Sequence, residues 1–365
     1  MKKILALLLA ALVVCAAAAC SSGNGNTAQS SAASEAGTSS QADSGESSAD
    51  EENDAQKQLE ELLEEENFVG VVYSEKAGKV TAAARGKLES GEDVRIDTPM
   101  PIGSVSKQFC AALILKLQEE GKLSIDDTLD KYFPEYTNGA KVTLKNLLSM
   151  RSGVPNIDEG IYEIALNDKT EEENIAAIKE WLFPQQLDFE PDKHYSYSNT
   201  NFMLLAYIIE DITGKKYIDY LRETVFEPLG MKHTGNITEM LAGAEWAGGV
   251  VHNNVDKQPG LTKGAGDIIS TGEDMSHWLL GLKDGKVISQ ESYELMTTNY
   301  NGSEGYGFGI RTDYFGGIGH PGGIGNFIAS DVLYPEDDQT MFFSSTSVTA
   351  GKITEFSSKV VQIIS

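Results

Sequence analysis

Basic residues are scarce in this chain: 29 lysines and arginines face 55 aspartates and glutamates, a formal charge of −26 over 365 residues. A chain so acidic is a poor binder of nucleic acid or any other polyanion. Cysteine is scarce too, with three in all. Cys15 lies inside an N-terminal apolar run and Cys20 directly after it, so Cys110 stands alone and no disulfide is available to the rest of the chain. With no base beside it in sequence, Cys110 is expected to be a small core residue rather than a nucleophile. Long apolar runs are missing except for Ile4–Ala19, too short for a comfortable membrane span. Preceded by Lys2 and Lys3, that run has the charged and apolar regions of an export signal.

From Ser21 to Lys57 there is no Leu, Ile, Val, Met or aromatic residue, only small and polar residues, one lysine and seven acidic groups. Such a segment cannot bury a core and is expected to be disordered. As a flexible coil it would reach roughly 30–36 Å. Ala17-Ala18-Ala19-Cys20 resembles the lipobox of bacterial lipoproteins, with Ala17 where such boxes usually carry leucine. The resemblance implies diacylation of Cys20 and a protein lipid-anchored to the outer face of the cell membrane. The expected organisation is therefore a signal at 1–19, a tether at 20–57 and one large domain at 58–365. Taking away Lys2, Lys3 and the seven tether acids leaves 27 basic against 48 acidic residues, so the acidity belongs to the domain.

Within the domain, Leu59–Glu66 reads as a short helix, and Phe68–Tyr73 with Lys79–Ala84 as an antiparallel hairpin. A helix is predicted from Ser104 to Glu120, stopped by Gly121. The middle third is helical in pattern, with Thr143 and Thr170 as N-caps and Gly214 and Pro228 as stops. After Gly264 come a helix over Gly272–Leu282, strand-like segments near Tyr306–Arg311, Gly316–His320, Asn326–Tyr334 and Gln339–Ser345, and a last helix near Ile353–Ile364. Strands at both ends with helices between them imply one antiparallel sheet flanked by helices, an α/β fold with an inserted all-helical lobe. The sheet lobe is expected over about 58–115 and 260–365, and the helical lobe over about 116–259. A groove between the lobes is the natural place for a site.

Ser104-Val105-Ser106-Lys107 is the chain's one S-x-x-K, at the predicted start of a long helix. Residues i and i+3 share a helix face, so the lysine amine can reach the serine hydroxyl. A desolvated lysine would hold its proton less tightly and could serve as a base. Tyr197-Ser198-Asn199 follows, between a Pro-containing loop and another helix, and His320-Pro321-Gly322-Gly323 comes late, at the end of a strand.

In that order the three motifs resemble those of serine β-lactamases and penicillin-binding proteins, and the tyrosine of the second motif points to class C β-lactamases and D-Ala-D-Ala carboxypeptidases. Glu119-Glu120-Gly121-Lys122-Leu123, Lys145-Asn146-Leu147-Leu148, Ser152-Gly153 and Ser270-Thr271-Gly272-Glu273-Asp274 are also similar to that family, over about residues 65–365. The resemblance implies a β-lactamase/transpeptidase-like fold with Ser104 as nucleophile and Lys107 and Tyr197 exchanging the proton. It further implies Asn199, His320 and Gly322 in substrate binding, and the backbone N–H groups of Ser104 and Gly323 as oxyanion hole.

The sequence departs from that family in two places, of which the first bears on substrate. The third motif carries Pro321, with no hydroxyl to hold a carboxylate and no backbone donor, and Met150-Arg151 stand before Ser152-Gly153 where relatives usually show His-Thr. Three other patterns are set aside. Gly317 to Gly322 fits G-x-G-x-x-G but is followed by a strand, and Glu163 to Asn167 precedes the tyrosine motif, the reverse of class A order. His194, His233, His252 and His277 lack ligand spacing. The expectation is a serine hydrolase of D-Ala-D-Ala carboxypeptidase or esterase type, with no metal or organic cofactor and no nucleic-acid partner. Its substrate would be a small-molecule or peptidoglycan-type carbonyl compound, its membrane contact the lipid, and its state monomeric. A class C-like β-lactamase, or a catalytically poor penicillin-binding or scaffolding lipoprotein, are the competing readings.

Overall fold

A computed structural model describes residues 46–87, 91–157, 169–241 and 260–365. The chain divides into two units, Met1–Asp54 and Ala55–Ser365. Of the first, only the helical backbone from Glu46 is described, so the signal, Cys20 and the tether up to Gly45 lie outside the described residues, as do Glu163 to Asn167 and His252.

The first helix, α1, runs over Glu46–Glu65 and not merely from Leu59, so it takes up the last residues of the stretch expected to be disordered tether. The physical reason is local. Gly45 is the last glycine of that stretch, and the Asp, Glu, Ala and Gln that follow contain no helix breaker and place acids near the helix N-terminus. Leu59, Leu62 and Leu63, at i, i+3 and i+4, are buried on one face. Gln56 pins the helix to the sheet by accepting from the Ala82 N–H at 3.2 Å and donating to the Ala82 carbonyl at 3.0 Å.

Strands β1 (Gly70–Lys76) and β2 (Lys79–Arg85) form the expected hairpin. Its two-residue turn places both Ala77 and Gly78 at positive φ, the twist that tight hairpins favour. After short strand β3 (Met100–Pro101), a 3₁₀ turn over Gly103–Ser106 leads into α2 (Lys107–Glu119). The helical lobe contains α3 (Leu144–Leu148), α4 (Glu171–Leu182), α5 (Asn199–Thr213) and α6 (Tyr217–Leu221). Thr143 and Thr170 make the capping boxes that start α3 and α4, and Gly214 ends α5 in the left-handed conformation. Short strands β4 (Gly235–Asn236) and β5 (Ile268–Ser270) join β3 in a small sheet. Helices α7 (Gly272–Lys283) and α8 (Gln290–Thr297) follow, the second not foreseen from sequence. The chain closes with β6 (Arg311–Tyr314), β7 (Gly317–Ile324), β8 (Phe327–Tyr334), β9 (Gln339–Ser345) and α9 (Ile353–Ile364).

All six long strands pair antiparallel in the order β2-β1-β9-β8-β7-β6, so first and last segments of the chain share one sheet through β1 and β9, with Tyr73 opposite Phe342. Side chains alternate between its faces. Phe343 faces α1 and α9, whereas its neighbour Phe342 joins the core with α2, α5 and α7. The stretch Tyr306–Arg311, expected as a strand, is instead a glycine-rich turn closed by a single bridge between those two residues. Gly307 has no room for a Cβ beside the Met296 carbonyl, which is why the turn folds tightly there.

Phe356 of α9 stacks on Phe68 at 4.9 Å and meets Phe343 edge-on at 5.0 Å. Phe356→Ala should therefore destabilise the domain by about 3–5 kcal/mol. Urea unfolding would show this, and a midpoint equal to wild type would mean that α9 does not close the sheet.

Candidate active site

Ser104 lies in the 3₁₀ turn that precedes α2, and its surroundings are set by two glycines. Gly103 has φ +52°, and a Cβ there would stand 2.5 Å from the Gly323 nitrogen. A Cβ on Gly322 would stand 2.0 Å from the Ile102 carbonyl oxygen and 3.2 Å from the Ser104 nitrogen. No real Cβ tolerates the shorter distances, so the backbone of β7 can lie this close to the serine turn only because both residues are glycine. Strand β6 pairs with β7 no further than Gly319. The rest of β7 thus presents an edge toward Ser104, and Gly323 is exposed on it.

Lys107 begins α2 one turn on, and its side chain is wholly buried. Its Nζ lies 3.0 Å from Ser104 Oγ, 2.8 Å from Asn199 Oδ1 and 2.6 Å from the Ala265 carbonyl oxygen. Asn199 Oδ1 and the Ala265 carbonyl can only accept, so two N–H bonds are committed to them. The remaining position on the nitrogen faces Ser104 Oγ, where an ammonium donates and a neutral amine accepts. The Tyr197 ring centroid is 4.9 Å from the same Nζ. Asn199 opens α5, and its backbone N–H donates to Asn156 Oδ1 at 3.0 Å. The structure therefore brings Ser104, Lys107, Tyr197, Asn199 and Gly323 together from three separate parts of the sequence, with the Ala265 carbonyl from a fourth.

His320 and Gly322, expected to touch substrate, are turned inward. His320 is only 2% exposed. Its Nδ1 is 2.5 Å from the Pro321 carbonyl oxygen, which can only accept, so Nδ1 carries the proton and Nε2 accepts from the Tyr306 hydroxyl at 3.1 Å. Burial, then the nearby charges of Lys107 and Arg311, hold the imidazole well below the usual histidine range, so it is neutral. Tyr306 is also fully buried, and burial pushes its phenol well above the usual range, which keeps the O–H as donor. These residues build the wall of the site, with glycine at 322 for clearance. Tyr306 was missed because its glycine-flanked stretch reads as a strand; glycine at 305, 307 and 309 was the signal for a turn. Ala265 could not be found from sequence, since it acts through its carbonyl.

Met150 and Arg151 now have a place. Met150, in the left-handed region at φ +58°, accepts the Ser196 N–H on its carbonyl at 2.9 Å, and its sulfur accepts the Ser198 N–H at 3.4 Å. Arg151 pairs with Asp192 at 3.3 Å and donates to Asn301 Oδ1 at 3.1 Å. Together they brace the loop carrying Tyr197. Tyr195 is half-buried, with its ring 5.5 Å from Tyr306, part of the same wall. Cys110 is buried and free. The glycine pattern from Gly317 to Gly322 lies inside β7, with no helix after it. Among the described residues no group of His, Cys, Asp and Glu side chains could hold a metal ion.

A serine and a buried lysine at the head of a helix, facing a sheet edge across an inserted helical lobe, define a protein of the β-lactamase and penicillin-binding type. A family model described as beta-lactamase matches residues 55–352, and the chain belongs to that family. It is 30% identical over 266 residues to a Bacillus subtilis (strain 168) protein provisionally named penicillin-binding protein PbpX, covering 70% of this chain and 65% of that one. To a teichoic acid D-alanine hydrolase of Staphylococcus aureus (strain MRSA252) it is 25% identical over 269 residues, 70% of this chain and 66% of that one. The chain thus spans just under two thirds of both relatives. Among solved structures, the octameric penicillin-binding protein homologue from Pyrococcus abyssi superposes with a TM-score of 0.68 at 26% identity, over 85% of this chain and 77% of that one. The D-amino acid amidase from Ochrobactrum anthropi SV3 shares the fold, with a TM-score of 0.70 at 24% identity over 86% of this chain and 98% of the other.

Gly322→Ala should force β7 away from Ile102 and slow fluorophosphonate labelling of Ser104 by about 10²–10³-fold, the scale of losing one oxyanion donor. Intact-mass time courses would read the rate. Labelling at the wild-type rate would mean that the glycine approach does not set the oxyanion geometry.

Proposed function

We propose that this protein is a serine hydrolase that forms an acyl-enzyme on Ser104 and acts on an ester or amide of D-alanine, in the manner of the esterase rather than the carboxypeptidase members of its family. One observation carries the proposal: the buried Lys107 Nζ, fixed by Asn199 and Ala265, stands 3.0 Å from Ser104 Oγ. As Oγ bonds to the substrate carbonyl carbon, its proton passes to the Lys107–Tyr197 pair, whose member that accepts it must stand unprotonated beforehand. The carbonyl oxygen becomes an oxyanion between the N–H groups of Ser104 and Gly323, and the leaving group departs with the proton. Water then attacks the acyl-enzyme by the same route and regenerates Ser104. Asn199 would also donate to a substrate amide carbonyl.

The substrate side is supported by what the strand edge lacks. Residues 321 and 323 share one edge of β7. Gly323 offers an N–H there, but Pro321 has none, and its carbonyl is already taken by His320. A ligand that needs a carboxylate held beside the oxyanion hole finds neither a hydroxyl nor an N–H at residue 321. This favours an acyl group ending in a free amine over a C-terminal carboxylate, and a D-alanyl ester over a β-lactam. The teichoic acid D-alanine hydrolase and the D-amino acid amidase among the similar proteins point the same way.

Steady-state assays with D-alanine p-nitroanilide, a D-alanyl glycerol ester, a D-Ala-D-Ala peptide and nitrocefin should show turnover of the first two exceeding the others by at least about tenfold, with Ser104→Ala inactive on all. Fastest turnover of nitrocefin would overturn the substrate assignment. Activity retained by Ser104→Ala would overturn the nucleophile.

The reading of Cys20 as a lipid anchor belongs to the same proposal. No described helix is long and apolar enough to cross a membrane. In a bacterial host, Cys20→Ser should move the protein from the detergent phase to the aqueous phase and abolish palmitate labelling. An unchanged partition would mean that no lipid is attached there.

A further inference from the structure

Directly behind the site lies a buried chain of side chains to which the reaction assigns no work. Trp278 Nε1 of α7 donates to Gln108 Oε1 at 2.9 Å. Gln108 Nε2 in turn donates to both carboxylate oxygens of Asp331, at 2.8 and 3.0 Å. Asp331 Oδ1 also accepts the backbone N–H of His320 at 2.7 Å. Trp278, Gln108 and Asp331 have no solvent exposure at all.

The direction of every bond is fixed. An indole N–H can only donate, so the Gln108 amide must turn its oxygen to Trp278 and its nitrogen to residue 331. Residue 331 must then accept from the glutamine on both of its outer atoms and from the His320 N–H on one of them. A carboxylate does this; an amide keeps the Oδ1 acceptor but sets its own NH₂ against that of Gln108 in the Oδ2 position, 2.8 Å away. The ends of the chain are also telling. Gln108 follows Lys107 in the first turn of α2, and His320 lies three residues before Gly323 on β7. The hydrogen bonds of Asp331, on β8, go to Gln108 and His320 and not to Ser104.

We propose that Asp331 is a positioning residue that ties the head of α2 to β7 and so fixes the separation of the Ser104 and Gly323 N–H groups on which acylation depends. The proposal rests on the reading of Ser104 as nucleophile. A desolvated carboxylate held by neutral N–H donors is costly, and burial pushes Asp331 up to about 7. Such a group adds little to stability by itself. What it supplies is a rigid spacing between two backbone donors that no direct hydrogen bond joins across the open edge of β7.

The test uses p-nitrophenyl acetate turnover and fluorophosphonate labelling, both normalised by active-site titration. Asp331→Asn should lower kcat and the labelling rate by at least about 30-fold with KM changed less than about threefold, since an oxyanion hole acts on the transition state. The double variant Gln108→Glu/Asp331→Asn reverses the polarity of the central pair. The new carboxylate accepts from Trp278 and from the introduced amide, whose oxygen accepts from His320. This double should recover kcat to within about threefold of wild type. A folded Asp331→Asn with wild-type kcat per titrated site overturns the proposal, even if its melting temperature falls. Should the single variant fail to fold, the double still decides: recovery of folding and of kcat supports the proposal, while a folded double that stays slow, or one that does not fold, overturns it. A wild-type chain labelled at a residue other than Ser104 would overturn the nucleophile reading and this proposal with it, whereas normal labelling of wild type with an equally fast Asp331→Asn overturns this proposal alone.

Discussion

An amine with no solvent exposure is the constraint around which the site of this protein is built. Removing the end of a lysine side chain from water is costly unless its hydrogen bonds are replaced. For Lys107 the replacements come from the turn before α2, from the start of α5 and from the loop before β5. These segments belong to both lobes, so the group proposed to serve Ser104 also helps hold the lobes together. Hydrogen bonds that involve a charged partner are worth about 1.5–3 kcal/mol each. Loss of any one acceptor would leave an unsatisfied buried nitrogen, which makes the placement of Asn199 and of the Ala265 carbonyl a matter of folding as well as chemistry.

The second constraint is clearance. The proposed catalytic side chains are held by packing and hydrogen bonds, but the proposed oxyanion donors are backbone groups, so their spacing depends on how closely two stretches of main chain can approach. Gly103 and Gly322 permit a distance that any side chain would forbid. The third motif is therefore read differently in the structure than in the sequence. His320 does not reach outward to a ligand. Held neutral between Tyr306 and the Pro321 carbonyl, it stiffens the strand whose exposed residue is Gly323.

Much of the fold was legible because its signals are local. The hairpin of β1 and β2, the capping boxes at Thr143 and Thr170, and the glycine stop of α5 all rest on a few neighbouring residues, and each lies within three residues of its expected place. The order of the motifs carried the rest, since Ser104, Lys107, Tyr197 and Asn199 meet as a group only if the fold is of one type. What escaped the sequence is non-local or made of backbone. The Ala265 carbonyl has no side-chain signature. Tyr306 is shown by its partner His320, 14 residues on, and not by its own neighbours. Gln108 and Asp331 are 223 positions apart and read separately as an amphipathic helix residue and a strand residue. The start of α1 at Glu46 was hidden by a composition that suits a tether and a helix alike, in which the absence of glycine after Gly45 decides the outcome.

The charge of the chain acquires a sharper meaning beside the open edge of β7. Attraction between separated surface charges falls off over about 8 Å at physiological ionic strength, so the net charge acts on a substrate only close to the protein. There it acts by sign. An excess of 26 acidic groups raises the local concentration of cations and lowers that of anions. A substrate with a free carboxylate would meet this field together with a strand edge that has lost its donor at Pro321. One bearing an ammonium group would meet the same field as an attraction and would need no donor at that position. The overall composition and the third-motif proline, two independent features of the sequence, thus bias the proposed hydrolase toward the same class of acyl group.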